Sequence, residues 1–284
     1  MNNYDKHCKA GIFAWFGYIL KPEECFLLIK ESGIESICIW WGDDFEEING
    51  KKETHPQIAD RIGLHLENAH LPYAGCDALW QDTLDGEAML GFYIKSIRQA
   101  ADAGVPKLVF HPNESKSFGA NSVNFELFVH RMHRIIDFAE NNSISVAIEN
   151  VYENGTVRAL LDEFKGNPYV GLCFDTGHNN IAAHNDFSLL GEYPDRLMAL
   201  HIHDNNGASD QHLLPYEGNI SWKDFMLALK DSTYNGPLML ESCSPFDYEE
   251  YGKFSKGTAK PNREPPEHYL LRAKEACLKI SKFH

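Results

Sequence analysis

Residues 170–178 read VGLCFDTGH, and residues 197–204 read LMALHIHD. In both, an apolar run of strand length stops on a histidine or an aspartate. Such side chains prefer water. Strand ends that bring several of them to one point suffer repulsion and lost hydration unless a cation sits between them. Residues 210–212, DQH, repeat the chemistry a few positions later.

The same unit recurs outward from this stretch. Strand-like runs fall at 11–16, 36–41, 65–70, 107–111, 145–150, 170–175, 197–203 and 238–242. Segments of helical periodicity lie between them, at 22–32, 57–63, 86–103, 125–141, 156–164, 188–196 and 222–230, and 266–282 closes the chain. Pro22 suits a first helical position, and Gly33 and Gly104 follow helix ends. Eight alternations in 284 residues predict an α/β fold with a parallel sheet. A single closed (β/α)8 TIM barrel spanning 1–284 is the most economical form. A doubly wound open sheet is the alternative, but the chain has no G-x-G-x-x-G motif to support one.

Composition narrows the partners. A net charge of −15 disfavours nucleic acid, whose binders displace counterions with basic surfaces. It leaves anionic substrates open, because a bound metal reverses the sign locally. No apolar stretch is long enough to span a membrane. The seven cysteines form no C-x-x-C pair, which predicts reduced thiols and a cytoplasmic location. A homo-oligomer stays open.

From strand three onward, the strand ends and the loops just beyond them carry His70, His111, Glu149 with Asn150, Asp175 with His178, His201 with His203 and Asp204, Asp210 with His212, and Glu241. In a barrel these ends ring one cavity. Any one of these residues alone is more commonly a hydrogen-bonded polar group. Together, in this order, they predict a metal site. Nitrogen and carboxylate donors without thiolate suit Zn, Mn, Fe or Co. His203, two residues past His201, is expected to face away from the cavity. With Asn150 and Asp204 it is expected to support the ligands rather than join them.

On these residues the chain resembles the xylose isomerase-like barrels, the superfamily of sugar-phosphate isomerases, epimerases and the endonuclease IV type of apurinic endonuclease. The resemblance runs from Gly11 to Glu241. The isomerase and epimerase branch implies one Mn2+ or Co2+ on Glu149, Asp175, His201 and Glu241, with His178 touching substrate oxygen. The endonuclease branch implies up to three Zn2+ on nine ligands: His70, His111, Glu149, Asp175, His178, His201, Asp210, His212 and Glu241. Residues 217–219, EGN, match that branch too.

Two chemistries follow. In the first, Glu149 and Glu241 act as the two bases of a sugar isomerase or epimerase, exchanging a proton on opposite faces of one carbon. In the second, a zinc cluster hydrolyses a phosphoester, with Glu149 positioning the attacking water. A non-catalytic sugar- or metal-binding module is a third class, disfavoured by the intact pair of glutamates. Trp15, Trp41 and Tyr73 are candidate platforms for a sugar ring. The loop at 42–54 carries Asp43, Asp44, Glu46 and Glu47, which would repel a DNA backbone. A small sugar-like molecule is therefore the expected substrate. The loop at 243–265 carries Lys253, Lys256, Lys260 and Arg263.

Overall fold

The structure, a computed structural model, describes residues 9–44, 46–244 and 264–283. Most of the 243–265 loop, with its three lysines and Arg263, lies outside the described residues, as does Phe45.

The eight strands are β1 (Ala10–Phe13), β2 (Ser36–Trp40), β3 (His65–His70), β4 (Lys107–Phe110), β5 (Ser145–Glu149), β6 (Val170–Asp175), β7 (Leu197–His201) and β8 (Leu238–Leu240). They form one sheet in the order β7-β6-β5-β4-β3-β2-β1-β8, and every ladder is parallel. The edges β7 and β8 meet through a bridge between Ile202 and Leu240, so the sheet closes into a (β/α)8 barrel. Two bulges re-aim side chains. Glu67 is the extra residue of β3 opposite β2, and Met198 is the extra residue of β7 opposite β6.

Around the barrel run α1 (Pro22–Glu31), α2 (Glu46–Asn49), α3 (His55–Ile62), α4 (Leu84–Asp102), α5 (Phe125–Asn141), α6 (Asn154–Glu163), α7 (Thr176–Ala183), α8 (Ser188–Glu192), α9 (Trp222–Lys230) and α10 (Pro266–Ile280). Local chemistry sets their ends. Pro22 opens α1, with Glu23 and Glu24 in its first turn and Lys30 in its last. Thr83 caps α4 by accepting the Gly86 N–H. Gly63 ends α3 in the left-handed conformation, at φ 81°. The main core lies between strands and helices. Inside the barrel, Val109, Ala147, Cys173 and Ala199 form a separate narrow layer.

Several boundaries differ from the sequence reading. β1 stops at Phe13, so 14–16 belongs to a loop. α8 ends at Glu192 rather than at 196. The 42–54 loop holds α2 and a 3-10 turn at Lys52–Thr54. Helix α7 has no counterpart among the predicted segments.

Candidate metal centre

The donors stand on β3 to β8 or just beyond them. At the centre is Glu149, the last residue of β5 and fully buried. Its Oε2 lies 3.4 Å from His70 Nε2, 3.3 Å from His111 Nε2 and 3.1 Å from His201 Nδ1. Its Oε1 lies 3.1 Å from His178 Nδ1. Across the cavity, Glu241 Oε2 is 3.1 Å from the same His201 Nδ1. Glu149, Asp175, His201 and Glu241 each offer a donor atom within 4.8 Å of the others, and so do His70, His111 and Glu149.

Local structure explains the aim of these side chains. Asp175 caps α7 by accepting the His178 N–H at 2.6 Å, which brings His178 back over the cavity. Asn150 clasps the backbone of Asp175, donating to its carbonyl at 2.9 Å and accepting its N–H at 2.8 Å. His70 Nδ1 lies 2.8 Å from the Leu71 carbonyl, and His212 Nδ1 lies 2.7 Å from the Glu241 carbonyl. A carbonyl only accepts, so these bonds put a proton on Nδ1 and aim Nε2 into the cavity, where its lone pair could serve a metal once any Nε2 proton is displaced. His70 Nε2 stands 3.2 Å from His111 Nε2.

These residues fit a divalent cation. Both oxygens of Glu149, Oδ2 of Asp175, Nδ1 of His178 and both nitrogens of His201 are buried without a hydrogen-bond partner. The contacts of Glu149 with the imidazoles, and of His201 with Glu241, therefore lack hydrogen-bond geometry, although they fall within ion-pair distance. Burying such atoms unsatisfied is costly. Donors about 2.0–2.1 Å from a tetrahedral ion lie about 3.3 Å from each other. The observed spacings match that edge.

The electrostatics agree. Burial pushes Glu149 up, but the imidazoles of His111 and His201 outweigh it and hold the carboxyl well below its usual range. Glu241 is likewise lowered against its burial, chiefly by His201. Burial opposes charge on His178, yet Asp175, Asp210 and Glu149 raise it well above the ordinary imidazole value. In His201, burial is overcome mainly by Cys173, Glu241 and Glu149. His111 alone is lowered, because desolvation dominates.

A second lobe lies outside this group. Asp210 Oδ2 is 3.1 Å from His212 Nε2 and 3.5 Å from His178 Nε2. Burial resists charge on Asp210, but His178 and His212 hold it far below the usual carboxylate range. Against its own burial, His212 is raised to about 9 by Asp210. Asp204 anchors the segment that carries this lobe. Its oxygens accept N–H groups from Asn205 at 2.9 Å, Ile220 at 3.1 Å, Tyr216 at 2.9 Å and the Trp222 indole at 3.0 Å.

Two expectations need correction. His203 does not turn away. Residues two apart in a strand share a face, so His203 follows His201 inward. Its Nε2 lies 3.1 Å from Asp175 and 3.6 Å from Asp210. Trp41 does not reach the cavity. It is fully buried and donates its indole N–H to the Ser96 carbonyl on α4 at 3.1 Å. Strand alternation gives the inward place to Trp40, which stacks on His70 with ring centroids 5.5 Å apart. Tyr73 stacks on His111 at 4.6 Å, and Trp15 packs with Trp40 at the rim. The thiol of Cys173 lies below Glu149 and His201, within donor distance of both, an arrangement that its apolar strand context concealed. All six cysteines among the described residues are free.

On the rim, Asp43 pairs with the buried Lys52 at 2.5 Å, and Asp44 accepts the Trp40 indole N–H at 3.1 Å. Among the described residues, no helix is long and apolar enough to cross a membrane.

Comparison with known proteins agrees with this architecture. A family model described as "Xylose isomerase-like TIM barrel" matches residues 26–258. An L-ribulose 3-epimerase of Methylomonas sp. is 33% identical over 121 residues, 40% of each chain. A probable endonuclease 4 of Bacillus licheniformis is 23% identical over 224 residues, 71% of each. The chain spans about half the length of the first curated relatives it matches. Among solved structures, a D-allulose 3-epimerase from Methylomonas sp. in complex with D-allulose superposes with a TM-score of 0.73 at 21% identity. That match covers 98% of both chains and speaks for the fold.

Proposed function

We propose, since the chain belongs to the xylose isomerase-like TIM-barrel family, that it is a divalent-metal-dependent isomerase or epimerase of a small sugar or sugar phosphate. The observation that carries this reading is the pair Glu149 and Glu241. Both are buried, they come from strands three apart, and each carboxylate lies 3.1 Å from His201 Nδ1. Asp175 completes the donor set. A bound Mn2+, Co2+ or Zn2+ would polarise neighbouring carbonyl and hydroxyl oxygens of a ketose and acidify the C–H beside them. One glutamate takes that proton from one face, and the other returns a proton to the opposite face. His178 contacts a substrate oxygen. Trp15, Trp40 and Tyr73 form the aromatic wall for the sugar ring. We read the free thiols as those of a cytoplasmic protein, and the chain as one domain.

The test is solvent exchange. The metal-loaded protein, incubated with ketopentoses and ketohexoses in deuterium oxide, is expected to incorporate deuterium beside the carbonyl. Full metal loading with no exchange on any ketose would sink the reading.

A second reading, a multi-zinc phosphoester hydrolase of the endonuclease IV type, draws on the convergence of Asp210, His212 and His178. Charge arithmetic separates the two. One dication with Glu149, Asp175 and Glu241 sums to about −1, which suits a neutral sugar. Three dications with those carboxylates and Asp210 sum to about +2, which suits a phosphate. The acidic rim, with Asp43, Asp44, Glu46 and Glu47, disfavours DNA as the substrate. Asp210→Ala is expected to leave an isomerase partly active and to cripple a cluster hydrolase.

A further inference from the structure

We infer that His203 is a positioning residue for Asp175: its Nε2–H occupies Oδ1, so that Asp175 offers a metal the single oxygen Oδ2. The inference rests on the metal reading of the centre and deepens it, by saying how one donor is restricted and by which residue.

Oδ1 of Asp175 accepts twice. The backbone N–H of His178 reaches it at 2.6 Å, and His203 Nε2 stands 3.1 Å away. Oδ2 lies as far from His203 Nε2, at 3.1 Å, yet it is buried with no hydrogen-bond partner. A carboxylate oxygen only accepts, so His203 carries a proton on Nε2. Asp210 does not compete for that proton, because its Oδ1 is 3.6 Å away, beyond hydrogen-bond distance. Asn150 already fixes the backbone of Asp175 from both sides. What remains free is the rotation of the carboxylate. With the His178 N–H alone, it could turn until both oxygens faced an ion. A second donor from another direction stops that turn.

The fold holds His203 for this task. The residue is fully buried. Thr176 Oγ1 accepts its backbone N–H at 3.1 Å and donates to its carbonyl at 2.8 Å. Its ring lies parallel to that of His212, with centroids 4.1 Å apart and planes 11° from parallel. His212 is itself tied through Nδ1 to the Glu241 carbonyl at 2.7 Å. Gly177 also stands against the His203 ring, where any Cβ would overlap it. Rings stacked in this way direct their nitrogens within parallel planes, so both cannot converge on one small ion beside Asp210. His203 is left with Asp175, and its Nδ1, buried without a hydrogen-bond partner, serves no other group.

Histidine nitrogen–proton correlation NMR of the metal-free full chain reads the tautomer directly. His203 is expected to carry a proton on Nε2, and a ring bare at Nε2 would overturn the inference without any variant. Cobalt(II) titration tests the consequence, with Asp175→Asn marking the visible absorption band that depends on this carboxylate. His203→Leu removes the N–H and is expected to weaken that ion about 10–100-fold and to change its band. His203→Gln sets an amide N–H the same number of bonds from the backbone. It is expected to keep the wild-type band and an affinity within about threefold of wild type. Unchanged affinity and band in His203→Leu would overturn the inference. So would damage in His203→Gln equal to that in His203→Leu, because the ring and not its N–H would then be what matters. Where His203→Leu fails to fold, the tautomer and His203→Gln still decide. A wild type that takes up no cobalt sinks the metal reading and this inference together, whereas the other adverse outcomes overturn this inference alone. Deuterium incorporation into a ketose is measured separately and leaves the isomerase reading to its own assay.

Discussion

The two ends of the barrel handle buried charge in opposite ways. At the bottom, Lys107 Nζ meets Glu67 Oε1 at 2.6 Å and also donates to the Met198 carbonyl. Lys30 donates to the Gly63 carbonyl at 2.5 Å, where the last carbonyls of α3 need a donor. None of Glu67, Lys107 or His65 leaves a buried atom unpartnered. At the top, carboxylates and imidazoles crowd together, and several of their buried atoms have no hydrogen-bond partner. Both ends carry ionisable groups on the same strands. What differs is whether cation and anion arrive together from the sequence. The bottom is complete as folded. The top leaves buried atoms short of hydrogen bonds, a shortfall the proposed ion would make good.

That contrast can be broken most sharply at the two glutamates. Glu149→Gln and Glu241→Gln are each expected to lower turnover by about 10²–10⁴-fold while the fold survives, as followed by steady-state sugar interconversion and circular dichroism. Full activity in either variant defeats the two-base mechanism.

Next comes the bottom. Lys107→Met strands a buried carboxylate and is expected to cost about 3–5 kcal/mol in urea unfolding, with metal content unchanged. A parallel loss of metal would mean that the two ends are not independent. At the top, a divalent ion at about a hundred times its dissociation constant should stabilise the chain by about 2.7 kcal/mol in thermal melts. No stabilisation by any divalent ion would remove the distinction between the ends.

A smaller effect concerns pH. Carboxylates raise His178 and His212, and Cys173 with Glu241 and Glu149 raises His201, so these groups hold protons that a metal would have to displace. Metal affinity should therefore rise with pH across neutrality, and the part of the rise due to His212 should end above about 9, where that ring gives up its proton. Chelator competition at stepped pH measures this, and an affinity flat across neutral pH would contradict it. The smallest effect lies on the rim. Asp44→Asn with Glu47→Gln should change stability by no more than about 0.5 kcal/mol and leave turnover on a neutral sugar unaltered. A large loss of turnover would bring that loop into the site.

The strands from β4 to β8 were legible because each is a short run, mostly apolar, that stops at or just before a polar side chain, and the candidate donors there were legible because they are those endings. Helix α7 was hidden because it starts directly after β6. Asp175 is at once strand end, cap and donor, so no turn residue marks the join. Of the two tryptophans at 40 and 41, composition alone could not choose. The pleat sends one to the cavity and the other to α4. Glu67 and Met198 are bulge residues, and a bulge depends on the partner strand, which no single segment reveals. The four N–H groups that converge on Asp204 come from residues up to Trp222, so its anchoring role needs the folded loop.

Gly177 carries no side chain and performs no chemistry, yet its hydrogen faces the His203 ring where a methyl group would not fit. The two positions are therefore epistatic. Gly177→Ala alone should be as disruptive as losing a donor, whereas the same change beside a smaller residue at 203 should be tolerated. A chain of this family with a bulkier residue at 177 is expected to carry something smaller than histidine at 203.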